Sequence, residues 1–231
     1  MAALLPVPVT LILTCMLHAD TAFDPTPEPT YLLDAQAEAL RFAEYTASWH
    51  VSNSDPDEND LLLHLHHSNF NLWHLEDRAR DTDATDAVIA DVKRAIDKTN
   101  QRRNDLVEQV DNALMAALTA AGLPNPESPL HSETPGMILD RLSILSLKIF
   151  HTDEETQRQD ASEEHRERNR QRLSILQEQS SALAGCLADL WQQVARGERR
   201  FQLYRQMKMY NDPTLNPVLY AAAGRNRMPR S

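Results

Sequence analysis

The sequence is short of the residues that mark several function classes. Its 231 residues include two cysteines, Cys15 and Cys186, which lie far apart and form no Cys-x-x-Cys or Cys/His grouping. A disulfide scaffold is thereby excluded, and a reduced cytoplasmic thiol is the plain reading of each. No run alternates polar and apolar residues with period two and no hairpin dipeptide occurs, so strands are not expected. The apolar stretch from Leu4 to Leu17 falls short of the about 20 residues a membrane-crossing helix needs. It also lacks a preceding Lys or Arg and is broken by Pro6 and Pro8, which sets it apart from an export signal, although His18-Ala19-Asp20-Thr21-Ala22 would pass as a cleavage site. A short helix or strap over 9–17 and a cytoplasmic protein are expected instead. G-x-x-x-x-G-K-[ST], G-x-S-x-G and a Cys/His nucleophile pair are all missing, and nothing points to the chemistries those motifs carry. Positive charge is in deficit, 23 basic against 34 acidic residues, which argues against a general nucleic-acid coat.

What is present reads as globular and helical. Hydrophobic residues make up 42% and charged residues 25% of the chain, ordinary usage for a protein with a real core. Prolines cluster at 6–56, 124–135 and 213–229, leaving 57–123 and 136–212 free of them. A proline inside a helix costs about 3 kcal/mol, so those two tracts can hold long helices. Five are predicted. The first covers 31–49. The second covers 56–80, with Ser54, Asp55 or Asp57 at its start. The third covers 85–121, with apolar residues from Ile89 and Val92 through Val110 and Leu114 to Leu118. The fourth starts at Thr134-Pro135, N-cap and N1, and the fifth covers 162–196. Gly122 and Gly197 fit C-caps, and Gly185, inside the fifth helix, reads as a place of close packing.

The expected fold is all-α, an elongated up-and-down bundle of about five helices with two long antiparallel helices. Residues 1–30 form a strap and Pro-rich linker, 31–220 a single helical domain and 221–231 a flexible tail. The mixed-charge run from Glu154 to Arg172 is a solvated face. Arg141-Leu142-Ser143-Ile144-Leu145 recurs as Arg172-Leu173-Ser174-Ile175-Leu176, but its flanks differ and no third copy exists, so no solenoid follows.

Function is sought where polar residues interrupt apolar stripes. On the third helix Asn100 and Arg103 occupy core positions by period, beside a polar line that includes Lys93, Asp97, Glu108 and Asp111. Burying such groups without partners costs several kcal/mol, so other helices must answer them. Candidates are His67, His74, Asp77 and Arg78 on the second helix, and Asp140, Lys148 and His151 on the fourth. On the fifth, His165 and Asn169 are available. One reading is a pocket for a small anionic ligand, with Asn100, Arg103, Asp140, Arg141 and Lys148 binding it. His74, Asp77, Asp97 and His151 would supply acid/base or metal chemistry. The competing reading is a structural ion-pair network that fixes helix register. A divalent metal would draw on His74, Asp77, Glu108 and Asp111, with Mg or Mn ahead of Zn because oxygen ligands dominate.

From Arg196 to the end the chain carries eight basic and two acidic residues, so residues 1–195 stand at −17. Its segment from Arg199 to Tyr210 interleaves charge with aromatics. It could close over an anion through Tyr204, Arg205 and Lys208, or lie as a positive strap along an acidic bundle with its aromatics in the core.

Four blocks carry a family likeness: Asn69-Phe70-Asn71-Leu72-Trp73-His74-Leu75-Glu76-Asp77, Ala95 through Asp105, Ser132-Glu133-Thr134-Pro135-Gly136 through His151, and Tyr204 through Pro213. Over about 40–220 the chain resembles the bacterial family catalogued as domain of unknown function 4254. The resemblance implies a bacterial, cytoplasmic, helical protein with a link to cell-surface glycan synthesis, and it brings no catalytic residue with it. A phosphosugar or nucleotide-sugar is therefore the expected ligand. The alternative is a non-enzymatic interaction or scaffold protein docking a partner protein through its acidic surface.

Overall fold

The computed structural model describes residues 33–52, 54–205, 207, 214–218 and 221. The expected N-terminal strap, the Pro-rich linker, Lys208 and nearly all of the tail lie outside them. Among the described residues five helices are ordered along the chain: α1 Ala35–Val51, α2 Leu61–Arg78, α3 Asp86–Ala120, α4 Pro135–Gln157 and α5 Glu163–Ala195. The only β pairing among the described residues is an isolated bridge between Leu130 and Arg200. The all-α bundle expected from the sequence is the observed fold.

The helix ends follow local chemistry. Asp34, Asp60, Thr85, Thr134 and Ser162 each accept a backbone N–H of the first turn, satisfying donors that a helix start leaves open. Thr85, Thr134 and Ser162 stand where the sequence placed them. α2 instead starts at Asp60, because only Asp60 also meets Arg41 of α1, at 2.7 Å. Gly122 and Gly197 take left-handed φ of 75° and 70° just past α3 and α5, a backbone that glycine adopts without strain.

Helix α4 is the centre of the bundle, packed against each of the other four. The long helices α3 and α5 are each antiparallel to α4 rather than to one another. On α3, Arg103 faces Asp140 and Asp111 faces Gly136; α5 turns back from α4 through His165 and Glu155. Helix α1 runs in the same sense as α4, with Thr46 opposite Ser146 and His50 against Phe150. Helix α2 shares that sense, pairing Phe42 with His66 and Trp49 with Phe70.

The central position of α4 explains its composition. Gly136, Asp140, Ser143 and Ser146 are buried along it beside Ile138, Leu139, Leu142 and Leu147, and small residues let several helices approach one. Close approach is sharpest at Gly136, where a Cβ would stand 2.7 Å from Asp111 Oδ1 and 2.8 Å from its Cγ. Gly185, by contrast, faces open space, with nothing within 4 Å of an added Cβ. The close packing expected there is found at Gly136 instead. Burial raises the Asp111 carboxyl to about 6, against the pull of hydrogen bonds from Thr134 Oγ1 and the Gly136 N–H. Gly136→Ala must displace this carboxylate, and a loss of about 1–3 kcal/mol is expected; chemical denaturation against the wild type measures it.

The apolar core has two parts. The larger joins Phe42 and Leu62 to the C-terminal half of α3, the N-terminal half of α4 and Leu187, Leu190, Trp191 and Val194 of α5. Phe201 closes it, held there as Arg200 pairs with Pro129 and His131 of the Pro-rich loop. The smaller part is aromatic, Trp49 and Phe70 with Leu147, flanked by Tyr45 and Trp73.

Candidate functional site

Between the two apolar parts lies a belt of buried polar side chains from four helices. Arg103 of α3 forks onto Asp140, Nε to Oδ1 at 2.8 Å and Nη2 to Oδ2 at 2.5 Å, and its Nη1 donates to Asn100 at 3.2 Å. Asn69 of α2 donates through Nδ2 to Asp140 Oδ1 and to Ser143 Oγ, both at 2.9 Å. Ser143 Oγ then meets His66 Nδ1 at 2.8 Å, and His66 Nε2 meets Thr46 Oγ1 at 3.0 Å. Thr46 donates its hydroxyl hydrogen to the Phe42 carbonyl at 2.8 Å.

The directions along this chain are fixed by that last bond. Thr46 spends its only hydrogen on Phe42, so it accepts from His66 and the ring carries its proton on Nε2. Nδ1 is then a lone pair that accepts from Ser143, and Ser143 accepts from Asn69. Each donor meets an acceptor when His66 is neutral, and burial holds its pKa down at about 3. The Arg103 guanidinium is pushed up by its bond to Asp140. The fork and the bond to Asn100 use three of the five N–H groups of Arg103 among the described residues.

Above the belt an open groove of about 610 Å³ runs between α2, α3 and α4, with Asn69, Asn100 and Arg103 in its lining. Trp73, Ile96, Ile144 and Leu147 supply its apolar surface; Glu76, Asp77, Arg80, Lys93 and Asp97 supply charge. Four of those charges are already paired across helical turns, Arg80 with Glu76 at 2.8 Å and Lys93 with Asp97. Asp77 and Asp97 are exposed on facing helices.

The residues named from the sequence divide among five places. Asn100, Arg103 and Asp140 come together as expected, with Asp77 and Asp97 on the groove. Arg141 and Lys148 lie elsewhere, lining a second groove of about 660 Å³ between α4 and α5 that also contains Cys186, and Arg141 is bound to Glu133 at 2.7 Å. Tyr204 and Arg205 lie by the third helix: Tyr204 stands beside Glu108 and Asp111, and Arg205 donates to Glu108 at 3.3 Å. That contact is the positive strap on an acidic body, with Phe201 in the core and Tyr204 exposed. Glu108 and Asp111 are therefore engaged with Arg205, Thr134 and Gly136, and the four metal candidates do not converge. His165 and Asn169 meet each other and Glu155 at the α4–α5 turn, away from the belt. Exposed ion pairs link Arg158, Arg166, Arg168 and Arg170 to neighbouring acids there, as expected of a solvated face.

His74 and His151 come together behind Trp73, whose ring stacks on His151 with 4.6 Å between centres. Their third neighbour is His50 of α1, 5.2 Å and 5.0 Å from them between ring centres. Desolvation lowers the pKa of His74, aided by His50 and His151.

Sequence reasoning missed His50, Thr46, His66, Asn69 and Ser143. On α2 it followed His67, which packs on Trp49 and Phe70; the belt uses His66, one residue and about 100° away on the helix. The signal available was the spacing His66–Asn69–Trp73, three and four residues apart, on one face.

The family described as protein of unknown function (DUF4254) matches residues 59–203. No curated protein and no solved structure matches the chain. Among the described residues no helix is long and apolar enough to cross a membrane.

Proposed function

Since the chain belongs to the DUF4254 family of proteins of unknown function, whose description names no reaction, we propose a function from the groove itself: it binds a small anionic ligand of the phosphosugar or nucleotide-sugar kind. The observation that carries this reading is the open groove of about 610 Å³ whose polar lining is anchored by Arg103. Its lining suits such a ligand piece by piece. Trp73 offers an aromatic wall for a sugar or base face. Asn100, Asp77 and Asp97 offer partners for hydroxyls, and the spare N–H groups of Arg103 with Arg80 and Lys93 offer donors to a phosphate. The belt below holds Arg103 in place, which lowers the entropy a ligand must overcome.

The test is a thermal-shift and calorimetric screen of phosphosugars and nucleotide-sugars. A ligand at about 100 times its dissociation constant stabilises the fold by about 2.7 kcal/mol. Asn100→Leu removes one hydrogen bond to Arg103, so it should change stability by less than about 1.5 kcal/mol while abolishing the shift. A well-folded protein that responds to no member of the panel overturns the reading.

A second reading has its own observation in support. The belt links Thr46, His66, Asn69, Ser143, Asp140 and Arg103 to one another without a ligand, as a register-fixing network would. The protein would then be an interaction or scaffold protein, and capture of a partner protein with a groove that ignores the panel would favour it.

A further inference from the structure

The three histidines behind Trp73 have a chemistry the groove reading does not use. His50 Nδ1 lies 2.7 Å from the Thr46 carbonyl, an oxygen that can only accept, so Nδ1 carries the hydrogen and Nε2 a lone pair. His151 is oriented in the same way, Nδ1 toward Glu154 Oε2 at 2.8 Å. The Nε2 atoms of His50 and His151 are both buried and have no hydrogen-bond partner among the described residues. One ligand nitrogen from each of His50, His74 and His151 falls within 4.8 Å of the others. Two buried ring nitrogens stranded side by side without a partner are unfavourable. A cation with an affinity for imidazole removes that cost.

We propose that His50, His74 and His151 form a zinc site. Ring geometry fits the ion. Three imidazoles on one tetrahedral zinc, with Zn–N of about 2.0–2.1 Å, place their ring centres roughly 5 Å apart; the observed separations are 5.0, 5.2 and 6.0 Å. Two of the ligands already have the outer partner that metal-bound histidines use to fix tautomer and orientation, a carbonyl for His50 and a carboxylate for His151. Phe70, Phe150 and Trp73 pack against the rings and hold their orientation. An all-nitrogen set favours zinc over the magnesium or manganese that the carboxylates had suggested. Three histidines leave a coordination position for water or an anion.

The experiment uses full-length, tag-free protein stripped with a chelator and titrated with Zn²⁺ against a chromophoric competitor. One equivalent per chain is expected to bind, and Co²⁺ in its place should give the visible absorption of a four-coordinate site. Glu154 is half exposed, so Glu154→Gln keeps the fold and should weaken zinc by about 10–100-fold. His151→Gln should lose stoichiometric binding, with circular dichroism confirming its helices. His64→Gln and His131→Gln, which alter histidines outside the cluster, should bind as the wild type does. A wild type that takes up no zinc overturns the proposal, as does zinc binding indifferent to both Glu154→Gln and His151→Gln. Neither result bears on the sugar-phosphate panel, which probes the other side of Trp73.

Discussion

Asp140→Ala is expected to destabilise the protein by about 2–4 kcal/mol, the low side of what breaking a buried pair costs because Arg103 keeps a quarter of its side chain exposed. The substitution removes both acceptors of the Arg103 fork and one acceptor of Asn69, while the guanidinium keeps its charge. The effect belongs to the stranded partner more than to the pair. Arg103→Met/Asp140→Leu, which deletes both charges, should therefore recover most of the loss. Urea titration of the two single variants and the double variant yields the coupling directly. If Asp140→Ala is as stable as the wild type, the fork is ornamental and Arg103 is free to meet a ligand. The same geometry explains why Arg103→Met alone is a poor probe of ligand binding: it strands the Asp140 carboxylate, whereas Asn100→Leu leaves the fork intact.

His66→Leu should cost about 1–3 kcal/mol at pH 7.5, since the Ser143 hydroxyl loses its acceptor inside the belt. The larger consequence is in the pH dependence. The folded pKa of His66 is depressed to about 3 from 6.5, so the unfolded chain takes the proton first. Stability from this group is complete above pH 6.5 and is lost as pH falls from 6.5 toward 3, by up to about 1.4 kcal/mol per unit. Glu38 acts with the opposite sign: burial raises it to about 7, so its contribution is lost as pH rises from 4.5 to 7. Asp111, raised to about 6, behaves likewise from 3.8 upward. Both acids remain in the variant and cancel from the comparison. The advantage of the wild type over His66→Leu should thus shrink by about 2 kcal/mol between pH 6.5 and 4.5, enough to remove or reverse it. A gap that stays constant over that interval would mean that His66 is not held neutral.

Much of the fold was legible because it rests on local chemistry. Proline-free tracts gave α3 and α5 their lengths, and Thr85, Thr134, Ser162, Gly122 and Gly197 marked ends through hydroxyls and a left-handed backbone that act within four residues. The site was legible in part. Asn100 and Arg103 stood out because a period of 3.6 put an amide and a guanidinium where Leu or Val belongs. Asp140 interrupted α4 in the same manner. What escaped was which helix answered which residue. His66 and His67 are adjacent, and only the placement of α4 decides that one enters the belt while the other packs on Trp49.

The repeated pentapeptide shows the division most plainly. By itself the sequence determined that Arg141–Leu145 and Arg172–Ile175–Leu176 are both helical, since helix formation depends on neighbours along the chain. It could not determine their fates. Leu142 and Ser143 are buried because they lie on the faces of α4 that meet other helices, whereas Ser174 and Ile175 are exposed on the outer face of α5. In the same way only tertiary packing brings His50 to His74 and His151 from three separate helices. A helix records its own period; the angle at which another helix meets it is set by long-range packing, and that packing places both the groove and the three histidines.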